Sequence, residues 1–188
     1  MTKYILHGGA AKKDTIANKN FFFEIANNLP DSNNILIVCY AKEKDSWQEE
    51  LGKDRHRFFS AAPQKAFDLI LADENASVFI EQIKQADAIY MCGGNTSILK
   101  KYLEKISNLE NLWKDKIVAG SSAGALVLAK YYYENDDDAY DKGLGILPLK
   151  IICHYTEELA DKLERLKRYG GKFEVRVIPE EKFLIIER

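Results

Sequence analysis

The sequence lacks the features that mark membrane-spanning, secreted or nucleic-acid-binding proteins. No apolar run approaches the roughly 18 residues that a membrane-spanning helix needs. The 27 Lys and Arg residues are balanced by 29 Asp and Glu residues, and the formal net charge of −2 leaves no basic excess for a nucleic-acid partner. Residues 3–7 already form a strand-like run, so we expect no signal peptide and no contact with a membrane.

Cysteine is also scarce. The three cysteines, Cys39, Cys92 and Cys153, form no CxxC motif and cannot all pair with one another. Each lies at the end of a short apolar run, where a free thiol usually acts as a small core residue. We therefore expect reduced thiols in a cytoplasmic protein, without a metal site. Nothing in the sequence indicates an organic cofactor.

Short apolar runs alternate with amphipathic helical segments along the chain. The predicted strands are residues 3–7, 35–39, 88–92, 117–119, 150–153, 173–178 and 183–186. The predicted helices are residues 18–29, 46–61, 76–86, 97–106 and 157–169. Continuous apolar strands separated by helices favour a parallel sheet covered on both faces. We therefore expect an α/β fold, a three-layer sandwich with a mostly parallel central sheet, in one domain over residues 1–188.

Two connections carry further expectations. Residues 30–34 are rich in turn-forming residues and predict a turn between the first helix and the second strand. The last two predicted strands are separated by only four residues, 179–182, and could form a hairpin at a sheet edge.

The most informative segment is residues 117–125, Ile-Val-Ala-Gly-Ser-Ser-Ala-Gly-Ala. A short apolar strand ends there in Gly-x-Ser-x-Gly, and a helix-forming segment follows at residues 125–129. This context is typical of a nucleophile elbow, in which flanking glycines allow a sharp turn that exposes the serine. Such Gly-Ser clusters also occur in ordinary loops, but the strand and helix around this one favour Ser122 as the nucleophile of a hydrolase.

A serine nucleophile needs a base, and the chain has only three histidines. In a parallel sheet the ligand lies beyond the carboxyl ends of the strands. His154 follows a predicted strand and is expected at that edge, beside Ser122, so it is the best candidate for the base. His7 ends the first strand and favours a structural role in the Gly-Gly turn that follows. His56 lies in a charged helical segment that is typical of a solvated face.

The acid that orients the base stays open at this point. The run of residues 136–138 lies between the serine and the histidine and is more typical of a solvated loop. Glu180 and Glu181 lie in the connection between the last two strands and could reach the histidine. An α/β-hydrolase fold would use the order serine, acid, histidine, but the chain leaves little room after Ser122 for its remaining strands and helices.

The oxyanion of a tetrahedral intermediate needs two backbone donors. The N–H of Ala123, directly after the nucleophile, is the expected first donor. The second is expected in the strand-to-helix turn Gly93-Gly94-Asn95-Thr96, whose glycines let the backbone approach a ligand. The alternative interpretation of this turn is a plain helix start, with Asn95 or Thr96 as the N-cap.

Four segments together resemble the dipeptidase E family, which includes aspartyl dipeptidase and cyanophycinase. They are Met91–Thr96, Ala119–Ala125, His154-Tyr155 and Ile178-Pro179-Glu180. The family has the fold of class I glutamine amidotransferases, a flavodoxin-like arrangement, with serine where those enzymes carry cysteine. The resemblance covers most of the chain.

The resemblance implies a role for each residue of the site. It implies Ser122 as nucleophile, His154 as base, and Gly94 and Ala123 as oxyanion donors. It favours Glu180 as the acid and puts Asp137 second, because an aspartate some fifteen residues after the serine also figures in the family. Substrate contacts are expected from Gly93, Asn95 and Thr96.

The resemblance also implies an activity. We expect a serine peptidase that acts on small peptides through an acyl-enzyme, with dipeptides that begin with aspartate as candidate substrates. Arg165 and Arg168 are the nearest candidates to pair with a substrate carboxylate, although their helical setting favours a solvated face. Two alternatives stay open. One is another amide or ester hydrolase on the same scaffold. The other is a non-catalytic, amidotransferase-like binding module, since the segment from His154 to Glu180 is short. The sequence leaves monomer and homodimer equally open.

Overall fold

The computed structural model describes residues 1–29 and 34–188. The strands are β1 (Lys3–His7), β2 (Asn34–Val38), β3 (Asp68–Leu71), β4 (Ala88–Met91), β5 (Ile117–Ser121), β6 (Ala129–Glu134), β7 (Ala139–Asp141), β8 (Leu147–Cys153), β9 (Glu174–Ile178) and β10 (Phe183–Glu187). The α-helices are α1 (Ile16–Asn27), α2 (Trp47–Ala61), α3 (Ala76–Gln85), α4 (Thr96–Leu103), α5 (Leu109–Leu112), α6 (Ala123–Leu126) and α7 (Ala160–Arg168). Two 3-10 turns lie at Lys44–Ser46 and Glu157–Leu159.

A six-stranded sheet in the order β10-β1-β5-β4-β2-β3 forms the centre of the fold. The five strands from β1 to β3 in this order run parallel to one another, and β10 pairs antiparallel with β1 at one edge. Every residue of β4 and β5 is buried. Strands that are apolar on both sides require cover on both faces, as the sequence predicts.

Helices supply that cover on both faces of the sheet. Phe21 and Phe22 of α1 and Phe58 of α2 surround the ring of Tyr90 on β4 at centroid distances of 5.7 to 5.9 Å. The next residue along the strand, Met91, faces the opposite side, where α6 lies against it and α4 packs on α6. The chain thus has the expected α/β fold, with helices on both faces of a mostly parallel sheet.

A second sheet, in the order β7-β6-β8-β9, delivers one histidine to the first sheet. Strands β6, β8 and β9 are parallel, and α7 covers them by packing Leu166 against Tyr133 and Ile152. His154 directly follows β8, and its backbone N–H donates to the carbonyl of Gly8, just beyond β1, at 2.8 Å. This bond joins the end of β8 to the carboxyl edge of the six-stranded sheet.

Two predictions for the second half of the chain are wrong. The last two strands form no hairpin, because β9 pairs with β8 in the second sheet while β10 pairs with β1 in the first. The helix expected at residues 125–129 is only α6, and β6 begins at Ala129, where the three tyrosines 131–133 favour a strand.

Three strands and one helix were not predicted: β3, β6, β7 and α5. Of the turn predicted at residues 30–34, the first four residues lie outside the described part of the chain, and Asn34 begins β2. Among the described residues, no helix has the length and apolar composition to cross a bilayer.

Candidate active site

Ser122 occupies a sharp, strained turn between β5 and α6. Its φ and ψ angles are 50° and −110°. Residues other than glycine rarely adopt this backbone conformation, and those that do cluster at functional sites. A Cβ atom at Gly120 would lie 2.2 Å from the Gly124 carbonyl, and one at Gly124 would lie 2.3 Å from the Met91 oxygen. Only glycine fits at either position, so the Gly-x-Ser-x-Gly pattern is required by packing. The Ser122 N–H donates to the His7 carbonyl at 2.9 Å, which fixes the turn on β1.

His154 lies within hydrogen-bond distance of this serine. Its Nε2 atom is 2.9 Å from Ser122 Oγ, and its Nδ1 atom is 2.9 Å from Glu180 Oε1. The imidazole ring lies directly on Gly9, where a Cβ atom would be 2.0 Å from ring Cε1. The absence of a side chain at Gly9 therefore leaves the space that the His154 ring occupies.

Of the two carboxylates suggested by the resemblance, Glu180 is the one that contacts His154. Hydrogen bonds from Lys13 and then from His154 hold the pKa of Glu180 below its usual range, so the group is ionised at neutral pH. Asp137 is exposed in the turn between β6 and β7. Its neighbour Asp136, rather than Asp137 itself, lines the cleft at Ser122.

The expected oxyanion donors lie on either side of the elbow. Within the described residues, neither the Gly94 N–H nor the Ala123 N–H donates to another protein group. Gly94 has a φ of 147°, and a Cβ atom there would lie 2.2 Å from the Ala41 carbonyl, so the turn needs a glycine. Both amides follow the ends of buried strands that are neighbours in the sheet. Two such donors are what an oxyanion hole requires.

Of the three expected substrate contacts, only Gly93 lines the cleft. Asn95 is the N-cap of α4, and its Oδ1 accepts from the Ile98 N–H at 2.9 Å. Thr96 is buried and donates to Glu134, a side chain whose pKa is raised by burial. These two side chains serve the turn itself, which agrees with the N-cap interpretation of Asn95.

The cleft at Ser122 has a volume of about 450 Å³ and extends toward α2. It contains charges of both signs. The cations are Lys12, Lys13, Lys42 and Arg57, and the acids are Glu50, Asp54 and Asp136. Arg165 and Arg168 are exposed on α7, away from this cleft.

Three of the charged residues that line the cleft, Glu50, Asp54 and Arg57, lie on α2. The sequence does not predict them there, because residues 54–57 are typical of a solvated helix face. Asp54 is only 1% exposed, and burial raises the pKa of its carboxyl group although Arg57 and the Cys92 thiol both donate to it. The signal was present in the helical period. Trp47, Glu50, Asp54 and Phe58 share one face of α2, and the two large apolar residues indicate that this face is buried.

His7 is fully buried below the elbow. Its Nε2 atom is 2.9 Å from Asn18 Oδ1, and its Nδ1 accepts from the Gly9 N–H at 3.1 Å. Burial lowers its pKa from 6.5 to about 4, so the ring is neutral at pH 7. This is the structural role that the sequence favours for His7.

Comparison with known proteins agrees with the fold and the family. The model of a family described as peptidase family S51 matches residues 4–188. The crystal structure of a peptidase from an acI-B1 Actinobacterium superposes with a TM-score of 0.70 at 18% identity, covering 99% of this chain and 83% of that one. A candidate peptidase E protein from Listeria monocytogenes EGD-e superposes with a TM-score of 0.68 at 15% identity, covering 99% of this chain and 94% of that one. No protein with a curated description matches the sequence.

At such identities the two structures establish the fold alone, whereas the family model spans nearly the whole chain. We conclude that this chain belongs to peptidase family S51 and is an enzyme of the serine peptidase class.

Proposed function

We propose that this peptidase hydrolyses small peptides through an acyl-enzyme formed on Ser122, with His154 as general base and Glu180 as the orienting acid. The observation that carries the proposal is the unbroken series of contacts, Ser122 Oγ to His154 Nε2 and His154 Nδ1 to Glu180 Oε1, both at 2.9 Å. A nucleophile in reach of a base that is itself held by a third group is the arrangement that activates a serine.

The reaction follows from these contacts. As Ser122 Oγ attacks the scissile carbonyl carbon, His154 Nε2 accepts the hydroxyl proton, and the Glu180 carboxylate stabilises the imidazolium that forms. The Gly94 and Ala123 N–H groups donate to the developing oxyanion. The intermediate collapses as His154 returns the proton to the leaving amine, and a water molecule then hydrolyses the acyl-enzyme by the same steps.

The cleft supports short, charged substrates, with dipeptides that begin with aspartate as the leading candidates. Lys12, Lys42 and Arg57 offer partners for a substrate carboxylate. Asp136 lies in the same cleft and offers a partner for the substrate ammonium. The buried free thiols of Cys39, Cys92 and Cys153 support the cytoplasm as the compartment.

Turnover of aspartyl p-nitroanilide and of aspartyl dipeptides, measured against their asparaginyl, glutamyl and leucyl counterparts, tests the proposal. We expect hydrolysis of the aspartyl compounds and its loss in Ser122→Ala. Retained activity in a clean preparation of that variant would remove Ser122 from the mechanism. Hydrolysis of esters but of no peptide would support another hydrolase on this scaffold. A folded protein that hydrolyses nothing would support the binding module.

A further inference from the structure

Glu180 has a second partner on the side away from the histidine. While its Oε1 contacts His154, its Oε2 accepts from Lys13 Nζ at 2.8 Å. Lys13 Nζ also lies 3.3 Å from Glu181 Oε1. We propose that Lys13 is a positioning residue, which holds Glu180 in the orientation that His154 requires. The inference rests on the triad proposed above.

The backbone that carries Lys13 is itself fixed by a buried side chain. Asn18 is 2% exposed, and its Nδ2 donates to the carbonyls of Ala10 at 2.9 Å and Lys13 at 2.8 Å. The backbone next to Glu180 is fixed as well, because the Glu181 N–H donates to the Gly9 carbonyl at 3.1 Å. Both sides of the ion pair are therefore fixed at the end of β1, close to the elbow.

Glu180 needs such support because it lies on a surface connection. Its side chain is 43% exposed, and a free glutamate there would occupy several rotamers, of which few direct Oε1 toward His154. An ion pair this exposed adds little to folding stability. Its effect is expected on the geometry of the reaction, which is sensitive to small displacements of the catalytic groups.

Glu181 explains how a lysine can lie beside the acid without cancelling its charge. Lys13, Glu180 and Glu181 together carry one net negative charge, the same as a lone carboxylate. That charge remains to stabilise the imidazolium when His154 takes up the serine proton. Lys13 therefore orients Glu180 without removing the electrostatic support of the base.

Steady-state kinetics of Lys13→Met with aspartyl p-nitroanilide test the proposal. We expect kcat to fall about tenfold while KM changes less than about twofold, since the loss is one of catalytic geometry. Lys13→Arg keeps a donor for Oε2 and should restore kcat to within about threefold of the unmodified enzyme. Lys13→Gln, which keeps an uncharged polar group at this exposed position, serves if Lys13→Met does not fold.

Lys19→Met is the matched control. Lys19 is 50% exposed against 55% for Lys13, and it makes a similar surface ion pair, with Asp14 at 2.9 Å. Neither Lys19 nor Asp14 lines the cleft at Ser122. It loses the same charge, so its kcat should stay unchanged. If Lys13→Met and Lys13→Gln both match this control, the proposal is overturned.

A double variant distinguishes action through Glu180 from a general effect. In the Glu180→Gln background, Lys13→Met should lower kcat no further, because the group it positions is already altered. An equal loss in both backgrounds would overturn the proposal. If Glu180→Gln itself retains full activity, it is the triad that fails, and Lys13 then has no acid to position.

Discussion

Two adjacent serines at the elbow each contact a histidine, and of these two histidines only His154 lines the cleft. Ser121 Oγ lies 3.3 Å from His7 Nδ1, and both residues are buried. Ser122 Oγ lies 2.9 Å from His154 Nε2 at the wall of the cleft. The two pairs use neighbouring residues of one turn, yet the surroundings suit them to different tasks.

The two pairs differ in the residue that contacts the other ring nitrogen of the histidine. Behind His7 stands the neutral amide of Asn18, and burial lowers the pKa of the ring to about 4, so the ring cannot take up a proton at neutral pH. The group behind His154 is the ionised carboxylate of Glu180, which in the mechanism proposed above stabilises the imidazolium. A serine–histidine contact therefore indicates catalysis only when the histidine can become charged and the serine can reach a substrate.

The largest effect that separates the two pairs is expected from the histidines. His154→Gln should lower kcat by about 10³- to 10⁴-fold, because the nucleophile loses its base. His7→Gln should keep kcat per folded molecule within about tenfold. Hydrolysis of aspartyl p-nitroanilide, with folding checked by circular dichroism, measures both. Equal losses in the two variants would contradict the division of roles.

The acids provide the next largest contrast. Glu180→Gln should lower kcat at least a hundredfold, as expected when the group that orients the base loses its charge, whereas Asp137→Asn should stay within about twofold. The same assay compares them. A larger loss in Asp137→Asn than in Glu180→Gln would transfer the role of the acid to Asp137.

The buried pair predicts a pH dependence of stability. The pKa of His7 is lowered to about 4 in the folded protein, so on acidification the unfolded chain takes up the proton first. The contribution of neutral His7 to the free energy of unfolding is therefore fully present above pH 6.5. It decreases by about 3 kcal/mol as the pH falls toward 4. Urea unfolding of the unmodified protein and His7→Gln measures it: the difference between them should shrink over this range. His56→Gln, which replaces an exposed histidine, is the matched control.

The smallest effect is expected at Ser121. Ser121→Ala removes one long hydrogen bond to His7 and should cost about 1 kcal/mol of unfolding free energy. Its kcat should stay within about threefold of the unmodified value, in contrast to Ser122→Ala. A loss of activity as large as that of Ser122→Ala would indicate that the buried pair takes part in the reaction.

The site's local parts were readable from the sequence because they depend on neighbouring residues. The Gly-x-Ser-x-Gly turn needs Gly120 and Gly124 for packing within a few residues of the serine. The strand before His154 was likewise visible as an apolar run. Parallel pairing then brings such strand ends to one edge of the fold.

The parts that depend on distant segments could not be read in this way. The contact of Glu180 with His154 depends on the pairing of β9 with β8 and of β10 with β1, and the residues by themselves left Glu180, Glu181 and residues 136–138 open as the acid. Lys13 meets Glu180 across most of the length of the chain. The burial of Asp54 is missed when residues 54–57 are interpreted from their charge alone, because the covered face of the helix shows only in the helical period of Trp47 and Phe58.

Fluorophosphonate labelling tests the central claim, that Ser122 and not Ser121 is the nucleophile, most directly. Intact-mass measurement and peptide mapping are applied to the unmodified protein, Ser121→Ala and Ser122→Ala, all shown to be folded. We predict one phosphonyl adduct on the peptide that contains both serines, retained in Ser121→Ala and absent from Ser122→Ala. An adduct that persists in Ser122→Ala, or a folded unmodified protein that takes up no label, would contradict it.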